Sequence, residues 1–144
     1  MNRAASQELF EEQVRHIDGP LLETRGWHVF SRTFPVLDVG FEREGRAPFR
    51  VQMRCEDWNE RPPSIALLNW EGARIPAPTG PTGVFHAGPH PSTGHPFVCM
   101  AGSFEYHTHS SHTADLWENY KTRGGYDLGG ILLQLWLAWL KSTP

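Results

Sequence analysis

Between Gly72 and Pro96 the chain is barred from running a helix or a central strand. Pro76, Pro78, Pro81, Pro89, Pro91 and Pro96 remove backbone donors, and Gly80, Gly83, Gly88 and Gly94 alternate with them. Regular structure must therefore be built before and after this stretch. Irregular loops longer than about 12 to 15 residues are uncommon in compact domains and are usually functional or disordered. This one carries His86, His90 and His95 towards a denser histidine cluster, so we read it as a wall of a site. Histidines that merely cap turns fit the same positions.

Before the loop, residues 4 to 17 read as an amphipathic helix, with Phe10, Val14 and Ile17 at helical spacing and Asp18-Gly19-Pro20 as its stop. Trp27 to Phe41 is rich in β-branched and aromatic residues, and Pro35 marks an edge or a bulge there. A turn over Glu42 to Ala47 precedes Phe49 to Cys55, where Phe49, Val51, Met53 and Cys55 alternate with Arg50, Gln52 and Arg54. After a polar connection ending in Pro62-Pro63, Ile65 to Trp70 reads as a further buried strand. One helix followed by an antiparallel meander of about four strands predicts an α+β layer.

After the loop, Cys99, Glu105, His107, His109 and His112 fall within fourteen positions. An extended Phe104 to His109 points Glu105, His107 and His109 to one face, because strand side chains alternate. His112 can then fold back as a fourth ligand, and Cys99 can reach across the turn at Ala101-Gly102. Thiolate, imidazole and carboxylate together suit zinc best, with iron, copper or nickel as alternatives. Solvated histidines, or histidines bonded to backbone carbonyls, fit the same spacing. Asp115, Glu118 and Tyr106 are candidate supporting partners, and Glu105, if not a ligand, is a candidate general base. Asp115 is also placed to cap a turn through Trp117 and Tyr120. Asp127 then precedes a nearly all-apolar helix, Leu128 to Lys141, whose breadth predicts either deep burial or a partner or homodimer contact.

At 144 residues the chain fits one domain, 1–144, large enough to bury its own core, so a bound metal is more than a staple. A net charge of −3 without a basic run argues against nucleic acid. The absence of a signal-like start and of a long apolar run predicts a cytoplasmic protein not inserted in a membrane. Cys55 reads as a core residue, and both cysteines are expected to remain thiols in a reducing compartment.

The order of helix, meander, Pro-Pro strand entry, long loop with His-Pro, cysteine, tryptophan and helix resembles the ubiquitin-conjugating (UBC) fold. Phe49-Arg-Val-Gln-Met-Arg and Pro62-Pro63-Ser-Ile resemble its third strand and the entry to its fourth. His90-Pro91 precedes Cys99 by nearly the interval between that family's His-Pro-Asn and its catalytic cysteine, with Ser92 where the asparagine stands. Pro96 to His112, followed by Asp115-Leu-Trp-Glu-Asn-Tyr, resembles more closely a bacterial family of predicted metal-binding proteins named for Cys, Glu, His and His. Genes of that family sit beside ubiquitin-like proteins, activating enzymes and JAB-type peptidases. The resemblance implies a UBC-like domain with its site over residues 86 to 120, and Cys99, Glu105 and two of His107, His109 and His112 as functional residues. It further implies a ubiquitin-like protein or its activating enzyme as partner. Three roles follow: metal binding, with hydrolysis if one coordination position is open; a thioester-forming conjugating enzyme with Cys99 as nucleophile; or an idle scaffold that docks partners through Leu128 to Lys141.

Overall fold

The computed structural model describes residues 2–144. Helix α1 (Arg3–Val14) starts where the Asn2 side chain accepts the Ala5 N–H at 2.8 Å, and it buries Phe10 and Val14. It is shorter than predicted, because Asp18-Gly19-Pro20 opens a second helix, α2 (Gly19–Arg25), instead of only closing the first. Pro20 falls in the first turn of α2, where a missing N–H costs nothing, and Gly26 closes the helix in the left-handed region at φ 68°.

Four strands follow as an antiparallel meander in sequence order: β1 (Trp27–Thr33), β2 (Val36–Phe41), β3 (Phe49–Arg54) and β4 (Ser64–Leu68). Pro35 sits in the turn between β1 and β2, and the register shift lies at Val29/Ser31. The alternation predicted for β3 holds: Phe49, Val51 and Met53 are buried opposite Phe41, Val39 and Leu37 of β2, and Ile65 and Leu67 of β4 join the same face. Phe41 and Phe49 pack on Trp139, which brings the last helix onto this sheet face. On the opposite face Asp38 is buried but held by Arg50 through two 2.7 Å hydrogen bonds and by Gln52 at 3.0 Å. A buried charge is tolerable only with such pairing.

The Pro/Gly stretch is not wholly irregular. Phe85–His86 (β5) pairs with Phe97–Val98 (β6), and the Cys99 N–H continues the ladder to the Val84 carbonyl at 2.6 Å. This short ribbon fixes the backbone of Cys99. Beyond it come α3 (Phe104–Thr108), a 3₁₀ turn (Trp117–Asn119) and α4 (Leu128–Lys141). Asp127 caps α4 by accepting the Gly130 N–H at 2.8 Å. Leu128, Ile131, Leu132, Leu135, Ala138 and Trp139 are buried, while Leu137 stands 44% exposed. Most of the apolar breadth of α4 is thus used within the chain. No helix among the described residues is long and apolar enough to cross a membrane.

The end of α4 depends on one side chain. Arg46, in the β2–β3 connection, donates to the carbonyls of Leu140 (3.1 Å), Trp139 (2.8 Å) and Ser142 (2.6 Å) and to Ser142 Oγ (2.7 Å). These carbonyls sit at the negative end of the helix, and of the three that of Trp139 is also met by the Ser142 N–H and hydroxyl. Arg46→Ala is expected to cost about 2 kcal/mol by urea denaturation, and Arg46→Lys to recover only part of it, because an ammonium lacks the planar fork.

Candidate functional site

The predicted strand over Phe104 to His109 is a helical turn instead. Ser103 explains it: its Oγ accepts the Tyr106 N–H at 3.0 Å and donates to the Val98 carbonyl at 2.7 Å, capping α3 and tying it to β6. In a helix, side chains two positions apart diverge by roughly 200°. His107 therefore leaves the face of Glu105, and His109, which falls past the end of α3 on extended backbone, does not continue that face either.

Glu105 points into the protein and is 2% exposed. One carboxylate oxygen accepts the Ile65 N–H at 2.8 Å and the other the Ser64 hydroxyl at 2.6 Å, joining α3 to β4. Burial raises its pKa above the usual carboxylate value, and these hydrogen bonds oppose the rise. His90, the histidine of the His-Pro pair, is also buried. Its Nδ1 accepts the Ser92 N–H at 3.0 Å, so Nε2 carries the proton and donates to the Glu105 carbonyl at 3.0 Å. His90 thereby fastens the loop to α3. His86 of the loop and His109 stack on Phe97 at 4.8 and 5.6 Å between ring centres.

The three clustered histidines differ in what their nitrogens do. At His107, Nδ1 donates to the Asp115 carbonyl at 2.7 Å and Nε2 accepts the Gly102 N–H at 3.1 Å. The ring is neutral and fully used; burial lowers its pKa. At His109, Nδ1 accepts the Ser111 N–H at 3.2 Å and lies 2.5 Å from the Ser111 hydroxyl. That bond places the proton on Nε2, leaving no lone pair for a metal. His112 alone turns a ring nitrogen to the thiol, with Nε2 3.6 Å from Cys99 Sγ. Its ring lies flat on Tyr106, 4.2 Å away and inclined by 15°.

Asp115 does not cap the 3₁₀ turn, whose N-cap position is Leu116 and which has no side-chain cap. Its carboxylate accepts instead from the Tyr106 hydroxyl at 2.5 Å and the Tyr120 hydroxyl at 2.7 Å, and these bonds hold its pKa below the ordinary value. The same bond to Asp115 pushes the Tyr106 hydroxyl up, so it stays protonated. Glu118 faces away to pair with Lys121 at 3.1 Å. Tyr120 and Ser103 are members of the site that sequence reasoning missed. Ser103 carried a signal as a helix-capping residue, whereas Tyr120 carried none.

Among the described residues no three His, Cys, Asp or Glu side chains gather as a metal-ligand set. Of Cys99, Glu105, His107, His109 and His112, Cys99 and His112 are the pair whose ligating atoms meet, while the His109 ring comes no nearer His112 than 5.9 Å between centres. Zinc on all of them requires Glu105 to leave β4 and His107 and His109 to give up backbone bonds, so the residues do not fit that centre as arranged.

Cys99 is half-buried and Cys55 is 2% exposed. Burial raises both thiols, Cys55 far beyond the reach of neutral pH. Iodoacetamide is therefore expected to modify one thiol, Cys99, in native protein and both after denaturation, as read by intact mass. No protein-family model matches the sequence, and no curated protein matches it.

Proposed function

We propose that this chain is a UBC-like protein of a bacterial ubiquitin-like modification pathway, carrying the modifier as a thioester on Cys99. The observation that carries the proposal is the approach of His112 Nε2 to Cys99 Sγ at 3.6 Å, at the end of the ribbon whose connecting loop carries His90-Pro91. The helix, the four-stranded meander and the C-terminal helix support the fold side of this reading. Fold likeness alone assigns no chemistry; the site must do so.

A thiol raised by burial is protonated at neutral pH, so its attack requires a proton acceptor. His112 Nε2 is placed for that task. Cys99 Sγ attacks the carbonyl carbon of the modifier's C-terminal thioester on an activating enzyme. The S–C bond forms while the S–H proton passes to His112, and the departing thiolate takes the electron pair of the broken bond. His112 then returns the proton to the leaving sulfur or to solvent. Incubation with the modifier, its activating enzyme and ATP tests this reading. A conjugate that disappears on reduction and in Cys99→Ala protein is expected. A chain that stays uncharged while it retains about one zinc, lost on replacing His107, His109 and His112, returns the site to the metal-binding reading.

A further inference from the structure

We infer that Tyr106 is a positioning residue for His112, acting through its stacked ring, and that Asp115 holds Tyr106 in place. The inference rests on the thiol–imidazole reading above and identifies what orients the base. A catalytic imidazole is commonly oriented by an acceptor on its second nitrogen. Here, among the described residues, no hydrogen bond reaches His112 Nδ1, and the ring instead lies 4.2 Å from Tyr106 at 15°. A flat stack fixes the plane of the imidazole and hence the direction in which Nε2 faces Cys99.

The stack is itself anchored. Tyr106 stands on α3, whose start is capped by Ser103, and its hydroxyl donates to Asp115 at 2.5 Å. Asp115 also accepts from Tyr120, while its backbone carbonyl accepts from His107 Nδ1. The segment carrying His112 thus returns to α3 through Asp115 twice, once by side chain and once by backbone. His107, which the donor count discards as a ligand, has its part here: it closes the loop that presents His112.

The test follows the rate of Cys99 modification by iodoacetamide at neutral pH, together with the nuclear magnetic resonance signals of the His112 ring protons. His112→Ala is expected to slow modification about tenfold or more. Tyr106→Leu is expected to slow it by a similar factor, with loss of the upfield ring-current displacement at His112. Tyr106→Phe keeps the ring but loses its bond to Asp115, so it should recover only part of both, matching the loss of the Asp115 side chain. Asp115→Ala, which leaves the Tyr106 and Tyr120 hydroxyls without that acceptor, should slow the reaction severalfold and weaken the displacement. If His112→Ala is slow but folded Tyr106→Leu matches the wild type, the positioning inference is overturned and the thiol–imidazole pair stands. If His112→Ala matches the wild type, the pair itself is overturned. Should Tyr106→Leu not fold, Asp115→Ala decides, and an unchanged rate and ring signal reject the inference.

Discussion

Cys99→Ala protein is expected to accept no modifier at all, and His112→Ala protein to be charged about 10² times more slowly than the wild type at neutral pH. The first effect follows from the loss of the attacking atom. The second follows from the thiol's environment: with its pKa raised by burial, Cys99 keeps its proton until something takes it, and Nε2 of His112 at 3.6 Å is the base in reach. The histidines separate sharply. His109→Ala removes a ring that stacks on Phe97 and bonds Ser111, and charging should change by no more than about twofold. His107→Ala breaks the contacts to Gly102 and Asp115, so it acts through stability and loop placement. Single-turnover charging with the activating enzyme in excess checks the series. Equal rates for His112→Ala and His109→Ala would remove His112 from the chemistry.

What the sequence made legible was whatever a local pattern determines. Strict alternation placed β3 and its buried face, and a capping aspartate before an apolar run placed α4, because both depend on neighbours a few positions away. Helix α2 was missed because Gly19-Pro20 is both a good stop and a good start, and only the fold selects between them. The β5–β6 pair was missed because two residues per strand have no period. Within the site, Cys99 and the histidines were found by residue type. Which histidine faces the thiol was not readable, since it depends on backbone groups at Gly102, Ser111 and Asp115 that claim the other rings. The wrong period over Phe104 to His109 had the largest consequence: it gathered Glu105 into a metal set when the Ser103 cap turns that segment into a helix.

Glu105→Ala is accordingly expected to destabilise the protein by about 2 to 4 kcal/mol, the largest single stability loss in this region. It leaves the buried Ile65 N–H without its acceptor, frees the Ser64 hydroxyl and opens space between α3 and β4. Glu105→Gln should behave oppositely. Its amide oxygen can keep the Ile65 bond and its amide nitrogen can donate to Ser64, with no charge to bury. The sign with pH follows from linkage. Because burial raises the folded pKa above the unfolded value near 4.5, the folded protein binds the Glu105 proton more tightly than the unfolded chain does. That contribution is complete below the unfolded value and is lost as pH rises through the folded one. The glutamine variant lacks this loss, so it should overtake the wild type as pH increases from about 4.5 towards neutrality. Urea midpoints for the two proteins across this range give the comparison. A glutamine variant that is less stable than the wild type at neutral pH would mean that the carboxylate's charge is satisfied by a partner other than Ser64 and Ile65, and would reopen the case for Glu105 as a ligand.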